Sequence, residues 1–224
     1  KDVTSFSWIS NTELLFTSKR NKPKAGTTDF YTISIEGGEA KKAFSIPKAC
    51  SVPVSLGNKL WLLPTKNPTD SKKSEPDRAV EGVDYWTFTD KPFIRDGENF
   101  SQRRRVTLEL YQEGENITKA ITPKFCEVAG IDVSSDKNRI LYTGQIYEDC
   151  ATPFSGLWEY HIDSGETKEL VPQGKYQISL AKYIGKDKVM LQASTLDRSI
   201  TQNHDIFILD LSTSEINMIA SPDG

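Results

Sequence analysis

No stretch of this sequence is apolar for long enough to make a membrane-spanning helix, which needs about 18 residues or more in a row. There are only two histidines, His161 and His204, and three cysteines, Cys50, Cys126 and Cys150, with no C-x-x-C spacing. That excludes a zinc-finger type of site, and the H-E-x-x-H motif of a metalloprotease is missing too. Neither histidine sits in a motif: His161 alternates outward from Tyr160 and Ile162, and His204 precedes a strand. G-x-S-x-G, the turn that exposes a nucleophilic serine, is absent. So is a phosphate-cradling loop, because Gly174-Lys175-Tyr176 has nothing else of one. No catalytic residue, metal ligand or cofactor is therefore assigned. Excess positive charge is also lacking: 28 Lys and Arg stand against 31 Asp and Glu, a net charge of −3. Arg103-Arg104-Arg105 is the one dense basic run and reads as a solvated start of a strand, since nucleic-acid binding needs a broad basic face. The acidic pairs Glu148-Asp149 and Asp132/Asp136 read as turn residues. An odd, motif-free set of cysteines points to a reducing compartment, so a cytoplasmic location is expected.

What the sequence does have is repetition. In Thr28–Phe44, Tyr31, Ile33 and Ile35 alternate with Thr32 and Ser34, the period of a strand with two faces. Glu36-Gly37-Gly38-Glu39 follows, where glycine supplies the positive φ of a tight reversal, and Ala40–Phe44 returns. The same hairpin recurs at Val106–Ile121, Leu157–Val171 and Asp205–Ala220, each time with a Glu closing the turn: Glu39, Glu115, Glu166, Glu215. In the second copy, either Thr107 and Glu109 or Leu108 and Leu110 face inward. Two more apolar strands precede each hairpin. Four antiparallel strands over about 50 residues is the size of a β-propeller blade. Strands apolar on both sides, such as Ile206-Phe207-Ile208-Leu209, suit blades buried on both faces.

The reading is an all-β chain made of four-stranded antiparallel blades at about 1–48, 50–122, 125–172 and 175–220. The second carries an insertion over 64–105, entered where Pro64-Thr65-Lys66-Asn67-Pro68 breaks a strand. Within the insertion, Thr69–Glu75 reads as a polar loop and Pro76–Gly82 as one helical turn. Tyr85, Trp86, Phe88, Phe93 and Phe100 then crowd a short span, which argues for docking on a surface or lining a mouth. Lys1 and the closing Ser221-Pro222-Asp223-Gly224 lead us to expect polypeptide beyond both ends.

Phe6-Ser7-Trp8-Ile9-Ser10, Leu15-Phe16-Thr17-Ser18-Lys19-Arg20 and Asp29-Phe30-Tyr31 with Gly37-Gly38-Glu39-Ala40 resemble blades of the prolyl oligopeptidase family. The nearest branch is the acylaminoacyl-peptidase or dipeptidyl-aminopeptidase type. The most telling stretch is Asp90-Lys91-Pro92-Phe93-Ile94-Arg95-Asp96-Gly97-Glu98-Asn99-Phe100, similar to an insertion of that family, from which it departs at Lys91 and Asn99. The resemblance implies about four blades of a seven-bladed propeller that sits over a C-terminal α/β-hydrolase domain of the same parent chain. That catalytic domain is absent here. It also implies a gating and binding role toward short peptides, without catalysis by this chain itself. Substrate contacts are then expected in the insertion. Arg95 would pair with a peptide carboxylate, Asp96 or Glu81 would meet an α-amino group, and Tyr85 and Trp86 would form an apolar wall. Nucleic acid and membrane are not expected partners; pairing of two copies is one way to protect open sheet edges. The alternative is a TolB-like stand-alone propeller that binds a protein. A sugar- or metabolite-binding propeller has little support, because no histidines or carboxylates converge.

Overall fold

The structure is a computed structural model. It describes residues 3–18, 27–48, 50–68, 94–95, 99–100, 104–115, 118–195 and 203–221. The strands it contains are antiparallel, and no helix occurs among the described residues. The chain divides into two compact units, residues 1–67 with 107–122, and residues 68–106 with 123–224.

The first unit opens with a four-stranded meander: β1 (Val3–Trp8), β2 (Glu13–Ser18), β3 (Thr28–Ser34) and β4 (Lys41–Ile46). Its turns are made by short polar side chains. The Ser10 hydroxyl accepts from the amides of Thr12 and Glu13, closing β1 onto β2. At the β3–β4 turn, Gly37 and Gly38 both have positive φ, where a side chain would be strained.

The second sheet has β5 (Val54–Gly57), β6 (Leu60–Pro68), β9 (Arg104–Gln112) and β10 (Thr118–Ala120) in the order β10-β9-β6-β5. The expected break at Pro64 does not occur. β6 continues to Pro68, because the Pro64 carbonyl accepts from the Ser51 amide and Thr65 bridges to Cys50. In β9, Leu108 and Leu110 are buried and Thr107 only partly so, but Glu109 is buried as well. Both faces of that strand are thus covered. Phe44 is the centre of the first unit's core, with ring centroids 5.0 Å from Phe30, 5.0 Å from Trp61 and 5.8 Å from Tyr111. Each such pair adds about 0.5–1.5 kcal/mol beyond the burial of area.

The second unit is built on seven strands in sequence order: β11 (Cys126–Val133), β12 (Arg139–Ile146), β13 (Ser155–His161), β14 (Thr167–Ile184), β15 (Lys188–Ser194), β16 (Asp205–Asp210) and β17 (Ile216–Ala220). The ladders fall into two four-stranded sets, β11 to the first part of β14 and the second part of β14 to β17. β14 is continuous and serves both halves: its first part pairs with β13 and Gln177–Ile184 pairs with β15. The change-over follows Pro172, which has no amide to give a ladder, and Gly174, which has positive φ. Leu141, Leu157 and Val171 from one half join Ile178, Val189, Leu191, Phe207 and Leu209 from the other in one apolar cluster. On β16, Phe207 and Leu209 are buried while Ile206 and Ile208 are only half-buried, so its two faces are not equally covered.

A fourth, two-stranded sheet pairs β7 (Ile94–Arg95) with β8 (Asn99–Phe100). The edge strands β1 and β17 contain no charged residue and expose Phe6, Trp8, Met218 and Ile219.

Candidate functional site

The connections between strands are unequal in a regular way. Links from first to second strand and from third to fourth are tight in every four-strand set: 9–12 and 35–40, 58–59 and 113–117, 134–138 and 162–166, 185–187 and 211–215. Links from second to third strand are longer: 19–27, 69–103, 147–154 and 195–204. In an antiparallel meander, alternate links fall at opposite ends. Each four-strand set therefore has a tight-turn end and a long-connection end, and the long end is where binding surfaces are usually carried.

Of the residues singled out from the sequence, Glu81, Tyr85, Trp86 and Asp96 lie outside the described residues, as do the expected polar loop 69–75 and helical turn 76–82. Arg95 is placed on β7, its backbone paired with Asn99, while Ile94 pairs with Phe100.

Arg105 corrects the reading of the basic run. It is 1% exposed, on the part of β9 that belongs to the second unit, and is not solvated. Its guanidinium lies 3.9 Å from the centroid of the Tyr147 ring and 5.8 Å from that of Phe125. Nη2 donates to the Glu148 carbonyl at 3.1 Å. The Tyr147 hydroxyl donates to Glu127 Oε2 at 2.5 Å, and its amide to the Phe125 carbonyl. Burial, and then the bond to the Glu127 carboxylate, push the Tyr147 phenol above its ordinary value. Phe125 has a φ of 65°, unusual for a bulky side chain. Beside it, burial and the charge of Glu127 push the Cys126 thiol up to about 12, against the pull of Arg105. A planar, permanently charged group stacked on aromatic rings forms a rigid anchor. It stands where the chain re-enters β9 after residues 69–103.

In the first unit, Glu109 is buried and binds Lys48 Nζ at 2.6 Å; Thr65 donates to its other oxygen at 3.3 Å. Lys48 also reaches Thr118, and Thr65 and Thr107 bond each other. This network knits β6, β9 and β10. Nearby, burial pushes the Cys50 thiol up to about 11.

The tight-turn end of the second unit has a network of its own. Glu159 Oε1 accepts from Arg139 at 3.3 Å and from the Tyr183 hydroxyl at 2.8 Å, and Oε2 lies 2.9 Å from His161 Nε2. Arg139 also donates to the Lys186 carbonyl. Asp132 binds Lys182 at 2.9 Å and accepts from the Tyr183 amide. Asp132 is accordingly a strand residue that ties the two halves of the sheet, not a turn residue. Asp136 does cap a turn, through Ser134 and the Asn138 amide. His161 Nε2 faces Glu159 and His204 Nε2 is buried without a partner, and no cluster suited to a metal ion occurs among the described residues. Sequence reasoning missed the roles of Arg105 and Glu159 because their partners are scattered along the chain; only the aromatic character of Phe125 and Tyr147 gave a hint.

No family model matches the chain, and no curated protein matches it by sequence. Solved structures do match in shape. The acylaminoacyl peptidase of Pyrococcus horikoshii is similar over 99% of this chain and 32% of its own, with a TM-score of 0.57 and 18% identity. The β-propeller domain of the Trilobed protease from Pyrococcus furiosus is similar over 98% of this chain and 55% of its own, with a TM-score of 0.54 and 17% identity. A putative TolB from Agrobacterium tumefaciens is similar over 92% of this chain and 60% of its own, with a TM-score of 0.50 and 11% identity. The chain thus spans between about a third and three fifths of these structures. The all-β chain has a β-propeller fold, and the proteins that share it include the peptidase group whose resemblance the sequence carries.

Proposed function

We propose that this chain is the substrate-gating propeller portion of a serine peptidase that hydrolyses short peptides, of the acylaminoacyl- or dipeptidyl-peptidase type. The nucleophile, base and acid would be supplied by an α/β-hydrolase domain of the same parent polypeptide. The observation that carries this is the two-ended construction: tight turns at one end of every four-strand set, long connections at the other, in a fold similar to an acylaminoacyl peptidase over 99% of the chain. Peptide contacts fall to Glu81, Tyr85, Trp86, Arg95 and Asp96 in the longest connection, which Arg105 anchors at its return. The exposed apolar residues of β1 and β17 give a covering partner, the hydrolase domain or a second copy, something to bury. Three free thiols support a cytoplasmic setting.

The test is kinetic. In the parent polypeptide, shortening 69–103 should relax discrimination against long peptides, while activity on the shortest substrates persists. Unchanged length preference would remove the gating role. The second reading, a protein-binding propeller, is favoured only by the TolB likeness. A parent polypeptide without a serine-hydrolase domain would decide for it.

A further inference from the structure

β4, the first part of β14 and β17 each close a four-strand set, and they share one irregularity: each carries an extra residue against its neighbour. In β4, Phe44 pairs with Phe30 and Lys42 with Tyr31, which leaves Ala43 over. In β14, Leu170 is left over between Glu169 and Val171, and in β17, Ile219 between Met218 and Ala220. The bulges put the three strands in register with one another. Before the extra residue stand Lys41-Lys42 in β4, Lys168-Glu169 in β14 and Asn217-Met218 in β17, all of them exposed. β10, which closes the second sheet, also exposes a lysine, Lys119.

An open edge invites another strand; charge, lysine above all, and a bulge are what keep it single. β17 has the bulge without the charge, and its Met218 and Ile219 are 59% and 61% exposed. β1 is uncharged too, but so is β5, which holds the same first place in its set, so the lack is not distinctive there.

The sequence of β17 also fits itself. Laid antiparallel on a second β17 about Met218, Met218 faces its copy, Asn217 faces Ile219, Ile216 faces Ala220 and Glu215 faces Ser221. No like charges meet. The same operation sets Lys42 against Lys42 in β4 and Glu169 against Glu169 in β14, and like charges directly opposed destabilise a pair. A pliable methionine at the centre suits a contact that must fit around a bulge.

We propose that β17 is a self-association edge, at which two copies of this chain meet across a twofold axis through Met218 and Ile219. The contact is isologous, the commonest kind in homo-oligomers. Its area is small, so the dimer is weak, with a Kd on the order of 10–100 µM. It stands whether or not the parent polypeptide has a hydrolase domain.

Sedimentation equilibrium of the full chain tests this. The average mass should rise with concentration toward that of a dimer. Asn217→Lys with Met218→Lys, which gives β17 the residues of β4, should remain a monomer with an unchanged melting temperature. Phe6→Lys with Trp8→Lys, on β1, should leave the dimer intact. A wild-type chain that stays monomeric at several times that Kd overturns the proposal. So does a dimer that survives the β17 substitutions, or one that the β1 substitutions dissolve. Hydrogen exchange on the wild-type chain needs no variant: the amides of β17, and not those of β1, should exchange more slowly as concentration rises. Exchange independent of concentration overturns the proposal.

Discussion

Arg105 shows what a single residue can do that its neighbours in sequence do not suggest. Arg103 and Arg104 look the same in the sequence, and nothing there marks Arg105 as planted on Tyr147. A lysine there keeps the charge but not the flat fork that stacks on a ring. Arg105→Lys should therefore cost about 1–3 kcal/mol of stability, measured by urea unfolding. No window of sequence could have shown this, since Phe125 and Tyr147 reach Arg105 only through the fold. The cysteines divide just as sharply. Cys150 is exposed, while Cys126 and Cys50 carry thiols raised to about 12 and about 11, chiefly by burial. At neutral pH, alkylation followed by mass spectrometry should label Cys150 first and leave Cys126 until the chain unfolds. The sign of the linkage follows. Below the ordinary value of 9.0 the buried thiols contribute their full stability, and it is lost as pH rises through their folded values.

At the scale of the element, the turns explain why the hairpins were legible. His161 donates to the Glu166 carbonyl and Asp210 to the Glu215 carbonyl, both through backbone amides at 2.9 Å. The recurring Glu therefore marks a position, not a side-chain role. The residue just before it takes a left-handed backbone in both turns: Gly165 at a φ of 72° and Ser214 at 61°. Serine is strained there and glycine is not, so Ser214→Gly should raise stability by about 0.5–1 kcal/mol in thermal unfolding. Gly144 is the opposite case. A Cβ on it would lie 2.2 Å from the Glu127 carbonyl oxygen, an atom of the neighbouring strand that cannot step aside. Gly144→Ala should cost about 2–3 kcal/mol, seen as a lower denaturation midpoint. The missed elements failed for a related reason. Pro64 reads from the sequence as a strand breaker, but β6 runs through it. Whether proline ends a strand depends on which amides the ladder needs, and that is set by partners far along the chain.

For the molecule as a whole, the all-β class was readable because the hairpin is local and occurs four times. The candidate site was not, because its members come from different strands and its longest connection takes meaning only from what it faces. Acid sensitivity is a property at this scale. Asp136 and Asp210 are held below 3.8, first by the hydroxyls of Ser134 and Ser212 and then by turn amides. For Asp29, burial works in the other direction, and the Ser45 hydroxyl and Lys42 ammonium outweigh it. Carboxylates depressed in the folded state stabilise it above their ordinary value, and the contribution fades as pH falls through the lower folded values. Melting temperature should therefore hold steady down to about pH 4 and drop below it, and Asp136→Asn should flatten the drop.

The unbroken course of β14 also bears on how the second unit comes apart. One ribbon of backbone gives hydrogen bonds to β13 along one stretch and to β15 along the next. Tension applied to either half would reach the other along the covalent chain, through the short bend at 172–175. The halves should yield as a single mechanical piece, and amides on both sides of Pro172 should exchange with solvent at a common rate.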